Sequence, residues 1–346
     1  MSSNLTIQDL EEDNFRKDGI GVTIFLSLLC GVGVFGNAHA FLIYTFRFKK
    51  TNCRVFVQWL SSVDIVVCVI CIPFEISIVV RNMTFKYAIV CKLFRFLTHA
   101  LVMSSGFMLA VIAIHRKRKL GNPHGRQFTL KRAHIACFVV LIIAGLISVP
   151  SVYFYGAVET GTPDVERYQC TVDPKHFMSS YFIIFIVFLA VLLNILYIIC
   201  IIAYSIVIKI ITSQINSRFS TRLQTNVYLP KSNSDQKEKT RDKTEKPNDS
   251  LKYSRDISFL FIAASTMSYI GYLLTVISFL IDFINPDTTG SFKSVSAILY
   301  RGFFISSAGN PVVYLFLERQ FRVECKNVYS KLFGKCCWSK ELTIIV

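Results

Sequence analysis

The sequence predicts an all-α membrane protein, a bundle of seven transmembrane helices followed by a short amphipathic eighth helix. Apolar residues make up 53% of its 346 residues and charged residues only 17%, a balance that water-soluble domains rarely show. Seven stretches also reach the roughly 20 apolar residues that a helix needs to cross a bilayer. Buried helices of soluble domains keep a polar face, and these stretches mostly have none, which argues against a soluble fold.

The seven predicted spans occupy residues 20–317. A tail of residues 1–19 precedes them, and residues 318–346 form the amphipathic helix and a second tail. The spans are Ile20–Phe46, Val55–Val80, Cys91–Ile114, Ala133–Tyr155, Phe177–Ile211, Ile257–Ile284 and Phe292–Leu317.

Cationic residues orient the bundle. Of the 38 Lys and Arg residues, ten lie on the side of the first tail and the other 28 on the opposite side. Loops rich in Lys and Arg stay in the cytoplasm, so we expect a plasma-membrane protein with an extracellular N-terminus and a cytoplasmic C-terminus. The net charge of +16 then reflects topology and attraction to anionic inner-leaflet lipid rather than nucleic-acid binding. The sequons at Asn4 and Asn82 fall outside and are candidates for glycosylation.

Two polar stretches lie on the cytoplasmic side. Residues 212–255 carry mixed charges and few apolar residues, which predicts a flexible loop open to phosphorylation. After the last span, Phe321 and other apolar residues recur at helical spacing among basic ones, which predicts an amphipathic helix on the lipid surface. Cys336 and Cys337 follow it and are candidates for palmitoylation, with two ordinary reduced thiols as the alternative.

Cys91 and Cys170 are the cysteines on the oxidising side, whereas the others lie within spans or in the cytoplasm. A disulfide between them would tie the loop after span 4 over the mouth of the bundle. Two free thiols are the alternative.

Polar residues within the spans are costly unless they are paired, so each is a candidate functional group. If they converge, one carboxylate with hydroxyl and amide oxygens would suit a small hard cation or a water cluster. The group comprises Asn37, Asp64, Ser105, Ser306 and Asn310.

These residues and several motifs resemble those of rhodopsin-like, class A G-protein-coupled receptors over nearly the whole chain. The resemblance rests on Gly36-Asn37, on "LSSVD" ending in Asp64, on the 25-residue spacing from Cys91 to Arg116, and on "NPVVY" ending in Tyr314. Cys170 and Tyr204 also match.

The resemblance implies that an extracellular ligand binds between the outer halves of the helices, that span 6 moves outward, and that a heterotrimeric G protein binds in the gap. Arg116 would contact the G protein, with Tyr204 and Tyr314 turning toward it. The polar cluster around Asp64 would be the allosteric sodium pocket. Arrestin, receptor kinases and membrane lipid are the further expected partners.

The chain departs from the family pattern at His115-Arg116-Lys117, because the family usually has an acid before the arginine. A histidine cannot hold the arginine as a carboxylate does. We therefore expect raised basal activity, or a resting state held by another contact; the alternative is that His115 only faces lipid headgroups. In span 6, Tyr269 takes the place of the family's tryptophan and Gly271 the place of its proline as a weak point.

Two residues that bind the ligand in other receptor classes are absent from this sequence, which argues against an amine and against retinal as the ligand. Thr98 stands where amine receptors have an aspartate, and Phe304 where opsins have their retinal-binding lysine. Arg95 and Arg301 are candidates to bind a carboxylate or an acidic peptide residue, unless they pair with Glu75 or Asp282 or reach toward headgroups. The remaining candidate ligand contacts are His99, Tyr269, Tyr272 and Tyr300.

The acidic "DLEEDNF" of the first tail could equally attract a basic peptide. A neuropeptide-like ligand is the favoured interpretation.

Other classes of protein fit less well. A transporter would show inverted repeats and more spans, and an enzyme would show a constellation of catalytic or metal-binding residues; neither pattern is present in the sequence. We therefore expect no enzymatic activity and no cofactor or metal beyond a sodium ion near Asp64. A seven-helix receptor that scavenges ligand without coupling to a G protein remains the main alternative.

Overall fold

The seven-helix bundle is confirmed by the computed structural model, which describes residues 6–122, 125, 127–160, 166–177, 179–228, 234–284 and 291–332. Six helices are long and apolar enough to cross a membrane, and a seventh crossing consists of two shorter helices in succession. We call them spans 1 to 7. They are Ile7–Phe46, Asn52–Val80, Ala88–Gly121, Leu130–Phe154, Ser180–Ser217, Ser254–Asp282, and Ser291–Tyr300 with Phe304–Leu317.

The helices of the described residues have the following bounds, and some of them extend beyond the spans or lie outside them. α-Helices run over Ile7–Asn14, Ile20–Phe46, Asn52–Val66, Ile72–Val80, Ala88–Gly121, Leu130–Ser148, Pro150–Phe154, Pro174–Phe177, Ser180–Tyr228, Ser234–Ile284, Ser291–Tyr300, Phe304–Leu317 and Arg319–Leu332. Phe15–Gly19 and Val67–Cys71 are single π-helical turns inside spans 1 and 2. The helix Arg319–Leu332, here called the eighth helix, confirms the helix predicted after span 7.

The stretch predicted as a flexible loop, residues 212–255, is largely helical in the structure. One helix continues from span 5 to Tyr228, and another begins at Ser234 and leads into span 6. Residues 229–233 lie outside the described part of the chain. Lys, Glu, Gln and Arg are good helix formers, and extending an existing helix adds one hydrogen bond per residue without a new nucleation step. Polarity therefore does not imply a loop here.

Span 6 is an unbroken helix at Gly271, where the sequence suggested a weak point. Instead, this glycine allows close contact with span 7 at Gly302, which lies in the turn between the two helices of that span. A Cβ added at Gly271 would lie 2.6 Å from the carbonyl oxygen of Gly302. Small residues at such a crossing let two helix backbones approach each other.

One end of the bundle carries a β-hairpin, and we call it the hairpin end. Strand β1, Tyr155–Glu159, pairs antiparallel with β2, Tyr168–Val172. The predicted disulfide between Cys91 and Cys170 is present and joins β2 to the first turn of span 3. It spans 79 residues of sequence and lies in a small apolar cluster with Ile78 and Phe85.

Spans 2 and 4 are joined by a side-chain contact. The indole Nε1 of Trp59 in span 2 donates to Nδ1 of His134 in span 4 at 2.9 Å. Span 4 has no tryptophan, and the tryptophan that contacts it is Trp59 of span 2.

Candidate functional site

Arg116 connects spans 3 and 6 at the end of the bundle opposite the hairpin, which we call the Arg116 end. Its Nη2 donates to the Ser254 carbonyl oxygen at 2.5 Å, to the Ser254 hydroxyl at 3.0 Å and to the Ser258 hydroxyl at 2.9 Å. Ser258 in turn donates to the Ser254 carbonyl, so the two serines form one acceptor group on span 6. Hydrogen bonds to a charged guanidinium contribute about 1.5–3 kcal/mol each, which is enough to hold the two spans together.

His115 is buried, so the interpretation that it only faces lipid headgroups is wrong. Its Nε2 lies 3.2 Å from the amide nitrogen of Asn52, which also donates to the Phe128 carbonyl at 2.7 Å. The rings of Phe56 and Phe128 pack edge-on against the imidazole. The histidine therefore joins span 3 to span 2 and to the segment before span 4. Helical spacing gave no sign of this, because Asn52 is 63 residues away.

The other residues predicted for the G-protein switch do not all lie with Arg116. Lys117 is exposed. Tyr204 is buried in the main apolar core, and Tyr314 packs against the rings of Tyr44 and Phe321 near the eighth helix. That the two tyrosines turn toward Arg116 remains a prediction for another state of the bundle.

A buried acid at the start of the eighth helix was missed by the sequence analysis. Glu318 is 2% exposed and accepts a hydrogen bond from the hydroxyl of Tyr44 in span 1. Burial raises the pKa of this carboxyl group from its ordinary 4.5 to about 7, and the hydrogen bond from Tyr44 opposes that rise. A second contact between span 1 and the eighth helix is the ion pair of Arg47 with Glu324, at 2.7 Å. An acid next to the end of an apolar span was the signal in the sequence.

Asp64 lies at the centre of a polar pocket inside the bundle. It is fully buried; Ser105 donates to its Oδ1 at 3.1 Å and Asn310 to its Oδ2 at 2.7 Å. The other two predicted members bond elsewhere. Asn37 donates to backbone carbonyls of spans 1 and 7, and Ser306 bonds Ser268 at 3.0 Å. Three of the five predicted residues therefore meet directly.

Two arginines share one carboxylate at the hairpin end. Arg95 Nη1 lies 2.8 Å from Glu75 Oε2, and Arg301 Nη2 lies 2.9 Å from Glu75 Oε1. These are the pairs with Glu75 that the sequence offered as one alternative; Asp282 instead accepts from Ser296 at 2.7 Å. The cluster joins spans 2, 3 and 7, and we call it the Glu75 cluster.

Two tyrosine rings contact the Glu75 cluster, and one of them also lines a cavity. The Arg95 guanidinium lies 5.6 Å from the Tyr155 ring centre, and that of Arg301 lies 5.5 Å from the Tyr300 ring centre. His99 contacts the Tyr155 ring and bonds the Arg95 carbonyl, and Thr98 is buried on the same span. Tyr155 also lines an open cavity of about 480 Å³ with Lys92, Glu159, Asp173 and Lys175. This volume is in the range of small-ligand sites.

Tyr269 is held against span 5. Its ring stacks on Tyr197 with centres 3.7 Å apart, and its hydroxyl donates to Asn194 Oδ1 at 2.8 Å. Tyr272 lies one turn further along span 6, and both tyrosines line an inner cavity of about 90 Å³ between spans 3, 5, 6 and 7. The ring stacking and the hydrogen bond of Tyr269 therefore join span 6 to span 5, and a role of Tyr269 in ligand binding stays a prediction.

The acidic residues of the first tail are already engaged. Glu12 pairs with Arg16 and Asp13 with Lys17, each at 2.6 Å. Glu11 accepts from the backbone of residues 83–84 and from the Thr84 hydroxyl, in the sequon of Asn82. The pairs of Glu12 and Asp13 are exposed to solvent, so attraction of a basic peptide by the tail stays a prediction.

Glycosylation of Asn82 remains a prediction. Asn4, Cys336 and Cys337 lie outside the described residues.

No group of three His, Cys, Asp or Glu side chains suited to hold a metal ion occurs in the part of the chain that the structure describes.

Comparison with known proteins agrees with this geometry. The family profile of the 7 transmembrane receptor (rhodopsin family) matches residues 36–314. Human Chemerin-like receptor 2 is 30% identical over 46% of this chain and 46% of its own, and human Chemerin-like receptor 1 is 27% identical over 44% and 42%. Mouse Neuropeptide Y receptor type 6 is 30% identical over 34% and 33%. The matched region thus covers less than half the length of each of these relatives.

Proposed function

Because the chain belongs to the rhodopsin family of 7 transmembrane receptors, we propose that it is a receptor for an extracellular ligand that activates a heterotrimeric G protein through Arg116. The observation that carries the proposal is the bonding of Arg116 to Ser254 and Ser258. This contact joins span 3 to the end of span 6 and must break if span 6 moves outward. A ligand that binds the moved state more tightly would shift the balance toward it.

The proposal places the hairpin end outside the plasma membrane and the Arg116 end in the cytoplasm. The distribution of the Lys and Arg residues supports this orientation, and a disulfide is expected on an oxidising side. The eighth helix would then lie along the inner leaflet. Arrestin and receptor kinases, if they bind, would do so at the same end as the G protein.

A peptide is the ligand class that we favour. One relative is named for neuropeptide Y, a peptide, and the cavity of about 480 Å³ beside the hairpin is open enough to admit part of a chain. The absence of an aspartate at Thr98 argues against an amine.

The resting contact of Arg116 is directly testable. We expect Ser254→Ala/Ser258→Ala to raise ligand-free nucleotide exchange on a responsive G protein by at least about tenfold, because two hydroxyl acceptors of a charged group are lost from the resting state alone while the Ser254 carbonyl contact remains. Purified receptor in lipid nanodiscs is assayed against a panel of heterotrimeric G proteins. Ser213→Ala, which changes an exposed serine at the same end, is the control.

Arg116→Ala should abolish exchange in both backgrounds. His115→Asp should lower it below wild type, because its carboxylate would hold the arginine. Exchange that is unchanged in the double serine variant would contradict this resting contact. Ligand binding without exchange from any G protein would instead favour the non-coupling, scavenging receptor.

We further propose that the Asp64 pocket binds sodium. Asp64 forms no ion pair with a described residue, and a buried carboxylate is costly without a compensating charge. The hydroxyl oxygen of Ser61, one turn earlier, is buried and has no hydrogen-bond partner among the described residues, so it offers a further hard ligand.

Sodium chloride at 150 mM should raise the melting temperature in nanodiscs by about 3–5 °C over N-methylglucamine chloride at equal ionic strength, because the ion binds only the folded bundle. Asp64→Asn should abolish the difference between the two salts. An equal response to both salts in the wild type would rule out the site.

A further inference from the structure

The Glu75 cluster carries one positive charge more than it can neutralise. Two guanidinium groups contribute two charges and the single carboxylate of Glu75 removes one. The side chain of Arg95 is 7% exposed and that of Arg301 is 12% exposed, so water screens this excess poorly. Neither arginine forms an ion pair with another acid within the described ranges, and Asp282 is occupied by Ser296.

Both arginines also keep donors without acceptors. Nε of Arg95 and Nε of Arg301 are buried and have no hydrogen-bond partner in the described part of the chain. A guanidinium presents its N–H groups as a planar fork that matches the two oxygens of a carboxylate. An enclosed donor without an acceptor costs about as much as a lost hydrogen bond, so the cluster has unused binding capacity for an anion.

The position of the cluster is that of a ligand site rather than a surface patch. It joins spans 2, 3 and 7, and Tyr155, whose ring centre lies 5.6 Å from the Arg95 guanidinium, also lines the cavity of about 480 Å³. Tyr155 and Tyr300 lie against the two guanidinium groups and exclude water from them. An anion entering here would meet two preformed donors in a poorly solvated setting, where charge pairing is strong.

We propose that the Glu75 cluster binds a carboxylate of the extracellular ligand, with Arg95 and Arg301 as donors and Glu75 as the internal competitor. This inference deepens the proposed receptor function and rests on it. Glu75 holds the two arginines in place while no ligand is bound. The incoming carboxylate takes up the unused N–H groups and cancels the excess charge.

The test measures binding alone, so it is separate from G-protein coupling. Full-length receptor in phosphatidylcholine nanodiscs, which contain no anionic lipid, is melted with N-acetyl-L-phenylalanine or with its uncharged amide. N-acetyl-L-glutamic acid α-amide, which carries its carboxylate on the side chain, shows whether a terminal or a side-chain group fits better. We expect both acids, and not the neutral amide, to raise the melting temperature.

Four variants test which side chains bind the carboxylate. Glu75→Gln removes the carboxylate that competes for the two arginines, so without ligand its melting temperature should be lower than that of wild type. It should nevertheless bind N-acetyl-L-phenylalanine roughly tenfold more tightly than wild type. Arg301→Gln should abolish the difference between acid and amide. Arg301→Lys keeps the charge but loses the fork, and should weaken acid binding roughly tenfold while the protein still folds. Arg81→Gln removes an exposed cation at the hairpin end and should leave binding unchanged.

The two outcomes are distinct. Stronger carboxylate binding in Glu75→Gln with loss in Arg301→Gln would establish the site even if no G protein responds. Equal melting with acid and amide in wild type and in Glu75→Gln, or an unchanged response in Arg301→Gln, would overturn it.

Discussion

Replacing Cys91 or Cys170 with serine is expected to lower the stability of the hairpin end by on the order of 2–4 kcal/mol and to abolish ligand binding there. The bond closes a loop across 79 residues and fixes β2 to span 3. Without it, the hairpin can leave the mouth of the bundle. Arg95 Nη2, which lies 3.5 Å from the Cys170 carbonyl oxygen, would also lose its neighbour.

A double-mutant cycle separates this bond from the packing of the two side chains. If the disulfide is responsible, Cys91→Ser/Cys170→Ser loses no more stability than either single variant, because the first change already removes the bond. The measurement is thermal unfolding in nanodiscs with and without a phosphine reductant, which should affect only the wild type. Additive losses in the double variant would show that the two cysteines act separately.

The second large effect is a pH dependence at the junction of span 1, span 7 and the eighth helix. Glu318 has a folded-state pKa of about 7, raised by burial, against 4.5 as its ordinary value. The folded state therefore binds more protons than the unfolded state between these values. The stabilisation is complete below about pH 4.5 and is lost as the pH rises through 7.

Glu318→Gln keeps a partner for the Tyr44 hydroxyl and cannot ionise. We expect it to match wild type near pH 5 and to be more stable at pH 8 by on the order of 2–3 kcal/mol, because the wild type must then bury a charge. Unfolding of both proteins is followed from pH 5 to pH 8.5. Glu324→Gln is the control, since it loses only a partly exposed pair with Arg47 and should shift stability by under about 1 kcal/mol. Parallel curves for Glu318→Gln and wild type would refute the pH dependence.

Several features could be read from sequence because they depend on neighbours along the chain. Span 1 shows this most directly: its main helix, Ile20–Phe46, has the bounds that were predicted. The repeat of Phe321 and its apolar neighbours predicted the eighth helix in the same way. The disulfide could be inferred because just two cysteines fall on one side of the membrane. The loop over residues 212–255 failed because low hydrophobicity excludes a buried core but does not exclude a helix.

The candidate sites depended instead on which helix faces meet. Ser254 lies 138 residues from Arg116, and Glu75, Arg95 and Arg301 lie on three different spans. No rule of helical spacing could therefore show that Arg116 bonds Ser254 or that the two arginines share Glu75. The resemblance placed Ser306 in the pocket around Asp64, but its hydroxyl is hydrogen-bonded to Ser268 in span 6.

The sequence by itself determined that the chain spans a membrane seven times, because the length and apolarity of each segment are local properties that decide whether it can cross a bilayer as a helix. It also determined which polar residues the bilayer would penalise. Only the tertiary structure decided how they are satisfied: Arg116 by serines in place of an acid, and two arginines by one glutamate. The physical reason is that a buried polar group must find a partner, and the partner is fixed by helix rotation and register rather than by sequence spacing.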